Sequence, residues 1–284
     1  MAFARHPLGE VLPSFPHGTF VSLPTLADVD GYERQDPRVW SRIRAGYPRF
    51  VMNERVALAR DTAAARLGWD PARCIPLHGL AACTQAVALA TPSSHREADV
   101  GGWALIEVDP PSLERVAAMV KHAGLRLGSR VAEAWLAGET GQGRADGTLP
   151  PDVARHLLPL LAPATLGDVR LAASGMNAVA VAIHAARSVQ SPKGRRAWLQ
   201  LGWLYVDTAE LLRKTLAPGE TLTVIDDVTD HAALEAFFLA HRGQVAAVVA
   251  ELPNNPRLAS PDVARLARLA QAEGALRILD PSSA

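Results

Sequence analysis

The sequence predicts an α/β protein with a largely parallel sheet, and two observations carry this prediction. In the second half of the chain, short apolar strand-like segments alternate with helical segments roughly every 10 to 15 residues. The 284 residues are 49% hydrophobic and 20% charged, so the chain has enough apolar material for a folded core. Ligands of parallel sheets bind beyond the carboxyl ends of the strands, and we therefore examine the residues that follow each strand.

The first part of the chain, residues 1–75, is predicted to be an extended arm followed by a helix. Prolines recur up to residue 48 and exclude regular helix interiors from the arm. A helix is predicted over residues 51–67, because Val56, Ala63 and Leu67 share a face and Gly68 can end it.

Residues 76–150 are predicted to be an α/β elaboration of unknown role. A strand over 103–108 and a helix over 111–123 lie between two polar stretches, 91–102 and 137–151, which predict exposed loops. The second of these loops marks a domain boundary.

From residue 151 the alternation is regular. The predicted elements are helix 152–161, helix 176–188, strand 197–202, helix 208–216, strand 221–225, helix 231–241, strand 245–250, helix 261–273 and strand 276–279.

Charge and targeting features exclude several classes of protein. The 29 Lys and Arg residues balance 29 Asp and Glu residues, which argues against a nucleic-acid or anionic-membrane binder. There is no apolar run of about 18 residues and no signal-peptide pattern, so a cytoplasmic location is expected. Cys74 and Cys83 are expected to be free thiols, and the histidines lack the spacing of a metal site.

Three positions at predicted strand ends or helix starts are candidates for chemistry. Ser174, Gly175 and Met176 open a helix whose N–H groups could hold a phosphate, although a packing turn would explain the glycine too. The segment Glu251–Pro256 is a stiff turn after a buried strand, which turn chemistry alone would also explain. Asp280 ends the last strand, where it is either a functional carboxylate or an exposed loop acid.

The order of these motifs resembles that of the Cys/Met-metabolism family of pyridoxal-phosphate (PLP) enzymes, cystathionine gamma-synthases and their relatives. The matching features are Ser-Gly-Met, a tyrosine-bearing segment at 202–208, Glu-x-Pro-x-Asn-Pro-x-Leu at 251–258 and the strand-terminal aspartate. The segment 46–50 resembles the Tyr-x-Arg motif of that family. Segments in its long-armed, fungal-type branch are similar to Pro7–Gly9, Ser22–Pro24, Gly31–Glu33 and Ser129–Glu133.

This resemblance implies a fold and a function. The fold would be an incomplete PLP-dependent aspartate-aminotransferase-like (fold type I) large domain with an extended N-terminal arm, and residues 151–284 would form its first part. The function would be trans-sulfuration in methionine biosynthesis, in which cysteine replaces the acyl group of an O-acylhomoserine to give cystathionine. Gamma-lyase and sulfhydrylase activities of the same family, or a non-catalytic remnant of the fold, remain alternatives.

The resemblance also implies a role for each matching residue. Ser174, Gly175 and Met176 would hold the cofactor phosphate, and Tyr205 would stack on the pyridine ring unless it is a packed core residue. Asn255 would donate to the phenolic oxygen, and Asp280 would pair with the pyridinium nitrogen.

Tyr47 and Arg49 would reach the cofactor phosphate of a neighbouring subunit, which implies a homo-oligomer. The alternative for Arg49 is an exposed arginine without a ligand.

The lysine that would form the Schiff base has no match. Lys121, Lys193 and Lys214 are the only lysines; all precede Asp280, and none lies in a family-like segment. No catalytic residue is therefore assigned. We expect a chain that is truncated at its C-terminus or, alternatively, an inactive relative; a nucleotide or S-adenosylmethionine site is disfavoured, since no Gly-x-Gly-x-x-Gly occurs.

Overall fold

The computed structural model describes residues 6–44, 51–139 and 150–283. By its internal contacts the chain divides into a first unit, Met1–Ala173, and a second unit, Ser174–Ala284.

The first unit contains short strands and helices around an antiparallel sheet. Its strands are β1 (Val11–Leu12), β2 (Phe20–Val21), β3 (Cys74–Leu77), β4 (His95–Asp99) and β5 (Ala104–Val108). Its helices are α1 (Leu26–Glu33), α2 (Pro37–Trp40), α3 (Glu54–Leu67), α4 (Leu80–Ala90), α5 (Pro110–His122), α6 (Ser129–Leu136) and α7 (Pro151–Leu157), with short 3-10 turns at Pro71–Arg73, Leu158–Leu161 and Leu166–Asp168.

The sequence predicts an extended arm, but in the structure this segment also contains short regular elements. β1 and β2 pair, and two short helices follow them. The Thr25 hydroxyl accepts the Asp28 N–H at the start of α1, and the Asp36 carboxylate accepts the Arg38 N–H at the start of α2. Pro37 occupies the first turn of α2, where N–H groups have no partner within the helix, so this proline permits a helix at its start.

The three-stranded sheet of the first unit has the order β3–β5–β4 with antiparallel pairing. All five residues of the central strand β5 are buried, whereas β4 lies at the edge and is largely exposed. The polar composition of β4 predicts a loop; pairing of its backbone with β5, which a local pattern does not reveal, makes it a strand.

The second unit is built around a parallel sheet. Its elements are α8 (Gly175–Gln190), a 3-10 turn (Ser191–Lys193), β6 (Ala197–Leu201), α9 (Val206–Lys214), β7 (Thr221–Ile225), α10 (His231–Ala240), β8 (Val245–Glu251), α11 (Val263–Glu273) and β9 (Leu276–Asp280). The strand order is β7–β6–β8–β9, and every pair is parallel. β6 and β8 are buried along their whole length, which explains their uninterrupted apolar sequence.

The structure is therefore α/β with a parallel sheet, but the more specific expectation is wrong. It shows a four-stranded parallel sheet in one unit and a separate antiparallel sheet in the other, and it does not show an aspartate-aminotransferase-like large domain with an extended arm. Alternation of strands and helices predicts a parallel sheet, yet it does not specify which of the many folds built on such sheets forms.

Both cysteines are buried free thiols. Burial raises the pKa of Cys74 to about 11 and that of Cys83 to about 12. None of the helices in the described ranges has the length and apolar character needed to cross a membrane. The cytoplasmic location stays a prediction.

Candidate functional site

The strand order of the second unit creates a switch point between β6 and β8. After β6 the chain crosses to β7 on one side of β6, and after β7 it returns to β8 on the other side. In open parallel sheets such a switch point separates the two connections and leaves a crevice at the carboxyl ends of the strands. The segments at this crevice are 202–205, after β6, and 252–262, after β8.

Gly202 lets these two segments approach each other. It has φ +79° and donates its N–H to Ile225 O at 2.7 Å. A Cβ at this position would lie 2.3 Å from Val228 Cγ1 and 3.2 Å from Asn254 Nδ2. Both the left-handed backbone and the lack of space therefore require glycine here.

Glu251 links the ends of β6, β8 and β9. It is the last residue of β8, is only 5% exposed, and accepts the backbone N–H of Tyr205, which precedes α9. In the sheet register it stands opposite Asp280, and the Leu252 N–H donates to Asp280 O at 2.9 Å. One buried carboxyl group thus joins the loops that carry two of the predicted site residues.

The surroundings of Glu251 favour its neutral form. Burial raises the pKa of Glu251 above its ordinary value, and the negative charge of Asp280 acts in the same direction, whereas a hydrogen bond from the Asn255 N–H opposes the rise in pKa. A buried carboxyl group with a raised pKa beside a second carboxylate, at the ligand edge of a parallel sheet, is typical of a functional site.

The two asparagines after β8 have different environments. Asn254 is 1% exposed, and its Oδ1 accepts the Ala259 N–H at 3.0 Å, so its side chain holds the turn together. Asn255, which the sequence singles out, is exposed. Of the two, Asn255 has the side chain that a bound molecule can reach.

Helix α8 begins close to α9. The Ser174 Oγ accepts the Asn177 N–H at 3.1 Å, and Met176 is buried, with its sulfur 3.7 Å from the Thr208 hydroxyl of α9. Gly175 is exposed, and a Cβ there would meet no described atom within 4 Å. The Asn177 N–H is thus already capped, and the start of this 16-residue helix is open at Gly175, which suits an anion.

Asp280 and Tyr205 border the same edge of the sheet. Asp280 Oδ1 accepts the Ser282 N–H at 2.9 Å and the Ser282 hydroxyl at 2.5 Å. Within the described ranges, no donor contacts its Oδ2. The Tyr205 side chain is 36% exposed, so this tyrosine is not a packed core residue.

A further aromatic group flanks Tyr205. Trp203 is 42% exposed, and the guanidinium carbon of Arg257 lies 4.6 Å from the centre of its ring. The edge of the crevice therefore offers two aromatic surfaces, of which one already carries a cation.

The structure places six of the predicted site residues in the second unit: Ser174, Gly175, Met176, Tyr205, Asn255 and Asp280. Tyr205, Asn255 and Asp280 converge on Glu251, and Met176 contacts α9 one turn beyond Tyr205. Tyr47 and Arg49 lie outside the described residues. That these eight residues bind a cofactor stays a prediction.

Sequence reasoning included Glu251 and Asn254 in the candidate segment Glu251–Pro256 and Gly202 in the segment 202–208, but it assigned none of the three a role in the site. A carboxylate that closes a seven-residue apolar strand was the available signal for Glu251, because such a group is costly to bury without partners. Gly202 and Asn254 gave no comparable signal, since their contacts depend on residues far away in sequence.

The chain is similar to a characterised enzyme, although no family model matches it. It is 37% identical over 281 residues to the L-2-amino-4-chloropent-4-enoate dechlorinase/desaturase of Streptantibioticus cattleyicolor. The match covers 96% of this chain and 56% of that enzyme, so the chain spans little more than half the length of the relative it matches.

This relative overturns the functional expectations drawn from the motif resemblance. Its name describes removal of chlorine from, and desaturation of, a chlorinated amino acid. The prediction of a truncated cystathionine gamma-synthase, with a trans-sulfuration function in methionine biosynthesis, is therefore wrong. The motifs that suggested it describe how strand ends and helix starts are built, and they carry no information about the leaving group of the substrate.

Proposed function

We propose that this chain acts on a chlorinated, unsaturated amino acid and supports loss of chloride with formation of a further carbon–carbon multiple bond. The observation that carries the proposal is the similarity to the dechlorinase/desaturase, which extends over 96% of the chain. In such an elimination the C–Cl bond breaks with its electron pair on chloride, and a proton leaves a neighbouring carbon. The reaction therefore needs a base and a means of stabilising negative charge on carbon, but no oxidant.

We further propose PLP as the cofactor, because the residues at the switch point fit its three recognisable parts. The N–H groups of Gly175 and Met176 at the start of α8 suit the phosphate, and the exposed ring of Tyr205 suits the pyridine. The carboxylate of Asp280 suits the ring N–H. When bound, PLP supplies an electron sink that acidifies hydrogens near the amino-bearing carbon.

The chain itself would orient these parts. Asp280 would hold a proton on the ring nitrogen through a charge-assisted hydrogen bond, while Ser282 fixes the carboxylate through its other oxygen. Glu251, by accepting the N–H groups of Tyr205 and Asn255, would hold the stacking ring and the exposed amide in register with Asp280. The proton-abstracting group stays unassigned, and the sequence assigns no Schiff-base lysine.

Self-association belongs to the same proposal. Tyr47 and Arg49 would bind the phosphate of a neighbouring copy, with the guanidinium as a bidentate donor. Replacing Arg49 by Ala is then expected to weaken both self-association and PLP binding. Sedimentation velocity and a fluorescence titration measure these two effects, and an Arg49→Ala protein that is unchanged in both removes the cross-subunit role.

The activity is tested by incubating the chain with PLP and L-2-amino-4-chloropent-4-enoate. Ion chromatography should detect chloride, and mass spectrometry should detect a product lighter by one HCl. With an O-acylhomoserine and cysteine, no cystathionine should form. Absence of chloride release from the chlorinated amino acid would contradict the proposal.

A pair of variants tests the role of Asp280. Replacing Asp280 by Asn removes the charge that faces the ring nitrogen, and we expect chloride release to fall about 100-fold. Replacing Asp70 by Asn is the matched control, because the exposed Asp70 lies in the first unit and caps the 3-10 turn Pro71–Arg73, a role that Asn fills equally well. Equal rates for the two variants would exclude Asp280 from the chemistry.

A further inference from the structure

The first unit contains a small, mostly apolar cavity that has a few polar groups in its wall. It has a volume of about 30 Å³ and is lined in part by His17, Asn53, Val56, Arg126 and Ser129. A water molecule needs roughly 10–15 Å³ of such space, so the cavity has room for about two waters or one small ion.

Arg126 brings a partly buried cation to this cavity. Its backbone is fixed beside β3 by a bridge to Leu77, and the Leu127 N–H donates to Pro76 O at 3.2 Å. The Nε of Arg126 is buried and has no hydrogen-bond partner. Within the described ranges, no carboxylate pairs with its guanidinium, and burial lowers the pKa of Arg126 from its ordinary value.

Glu133 contacts one of the residues that line the cavity, His17. His17 Nδ1 lies 3.0 Å from Ser129 Oγ, and His17 Nε2 lies 2.9 Å from Glu133 Oε2. The other oxygen of Glu133 accepts from Arg55 Nε at 2.5 Å. Glu133 is therefore shared between a histidine and an arginine, and no ion pair joins it to Arg126.

The buried Nε of Arg126 loses its hydration without gaining a hydrogen bond, which is costly, and arginine cannot relieve the cost by losing its proton. We propose that the cavity binds a small monovalent anion of the chloride class through the Arg126 guanidinium, with the polar groups of Asn53 and Ser129 in its wall. The size of the cavity excludes larger carboxylates and phosphates. Its partly apolar wall, which includes Val56, favours a weakly hydrated halide over sulfate.

Thermal unfolding of the whole chain tests the proposal. At constant ionic strength, potassium gluconate is replaced stepwise by potassium chloride up to about 100 mM. A bound anion stabilises the folded state by mass action, so the Tm should rise by about 3 °C and approach saturation. A Tm that does not respond to chloride, or that responds without saturation, overturns the proposal.

Two variants separate the site from general salt effects. Replacing Arg126 by Met removes the charge while keeping most of the side-chain volume, and this variant should lose the chloride response. Replacing Arg130 by Met is the matched control, because that exposed guanidinium only approaches the Phe15 ring, at 5.9 Å. The Arg130 variant should respond to chloride as the parent chain does, and a response that survives in the Arg126 variant overturns the proposal.

If the Arg126→Met protein does not fold, chlorine-35 NMR of the parent chain tests whether it binds chloride. The chain should broaden the chloride line, and bromide should reverse the broadening by competition. A chloride line that the chain leaves unbroadened overturns the proposal.

Discussion

The three-stranded antiparallel sheet and the four-stranded parallel sheet each bury a glutamate in a strand, and the two glutamates have opposite electrostatic environments. Glu107 in the antiparallel sheet bonds to Arg96 Nε at 2.5 Å and accepts the Asp70 N–H at 3.1 Å. The hydrogen bond from Arg96 is the largest of several effects that lower the pKa of Glu107. Glu251 in the parallel sheet accepts N–H groups from loops and stands beside another carboxylate, and burial raises its pKa.

The difference follows from strand direction. Neighbouring antiparallel strands end at opposite edges of the sheet. Glu107, near the end of β5, therefore lies opposite the start of β4, where Arg96 compensates its charge. Parallel strands end at one edge, so Glu251 and Asp280 are brought side by side. Like charges that the fold forces together are costly for stability and characteristic of functional sites.

The largest expected effect concerns the crevice itself. Replacing Gly202 by Ala should lower the free energy of unfolding by about 3 kcal/mol, because the new Cβ would overlap Val228 Cγ1 in a left-handed backbone. Replacing Gly243 by Ala, at φ +73° with no described atom within 4 Å, should cost only about 1 kcal/mol. Urea unfolding measures both, and equal costs would show that the two loops are not in close contact.

The second effect concerns Glu107, the glutamate that is paired with Arg96. Replacing Glu107 by Gln should lower the free energy of unfolding at neutral pH by about 2 kcal/mol, because Arg96 loses its charged partner. A lowered pKa gives stability above the unfolded-state value, about 4.3 for Glu, and this stability is lost as the pH falls through the folded value. The variant should therefore lose less stability than the parent chain between neutral pH and acid.

Replacing the exposed Glu114 by Gln is the control for that experiment and should leave the acid dependence unchanged. If Glu107→Gln and Glu114→Gln behave alike, local charge matching does not stabilise the antiparallel sheet.

The third effect concerns Glu251, whose contribution to stability should depend on pH in the opposite direction from that of Glu107. A raised pKa means that the folded state holds a proton that the unfolded state has released, so stability falls as the pH rises from about 4.3 through the folded value of Glu251. Replacing Glu251 by Gln keeps an oxygen for the Tyr205 N–H and removes the charge. We expect it to abolish this fall and to raise the free energy of unfolding at neutral pH by about 1 kcal/mol.

Urea unfolding at about pH 5 and about pH 8 measures this change, and Glu235→Gln, on the exposed face of α10, is the control. A stability of the Glu251 variant that falls with pH as steeply as that of the parent chain would contradict the assigned environment.

The smallest effect concerns the aromatic rim of the crevice. Replacing Arg257 by Gln removes the cation over the Trp203 ring and should cost about 0.5 kcal/mol. A double-mutant cycle with Trp203→Leu isolates the pair, and a coupling energy of zero would show that the ring is available to a ligand without competition.

Much of the second unit was predictable from the sequence, because its strands are continuous apolar segments and its helices have clear starts and ends. β6, β7, β8 and β9 lie within one or two residues of the predicted bounds. β4 and the helices of the arm were not predictable in this way. β4 depends on a partner strand, and α1 and α2 depend on caps from Thr25 and Asp36 that a count of prolines obscures.

The candidate site also has features that the sequence predicts and features that it does not. Ser174 and Asp280 could be named from sequence, because a helix start or a strand end is a local property and parallel strands bring such ends to one edge. Tyr205 was named only through the motif resemblance. That Glu251 accepts the Tyr205 N–H and stands opposite Asp280, that Asn254 is buried while Asn255 is exposed, and that Arg126 lines a cavity were decided by the tertiary structure. Hydrogen bonds and charge compensation depend on neighbours that only the folded chain brings together, and a local sequence pattern does not contain them.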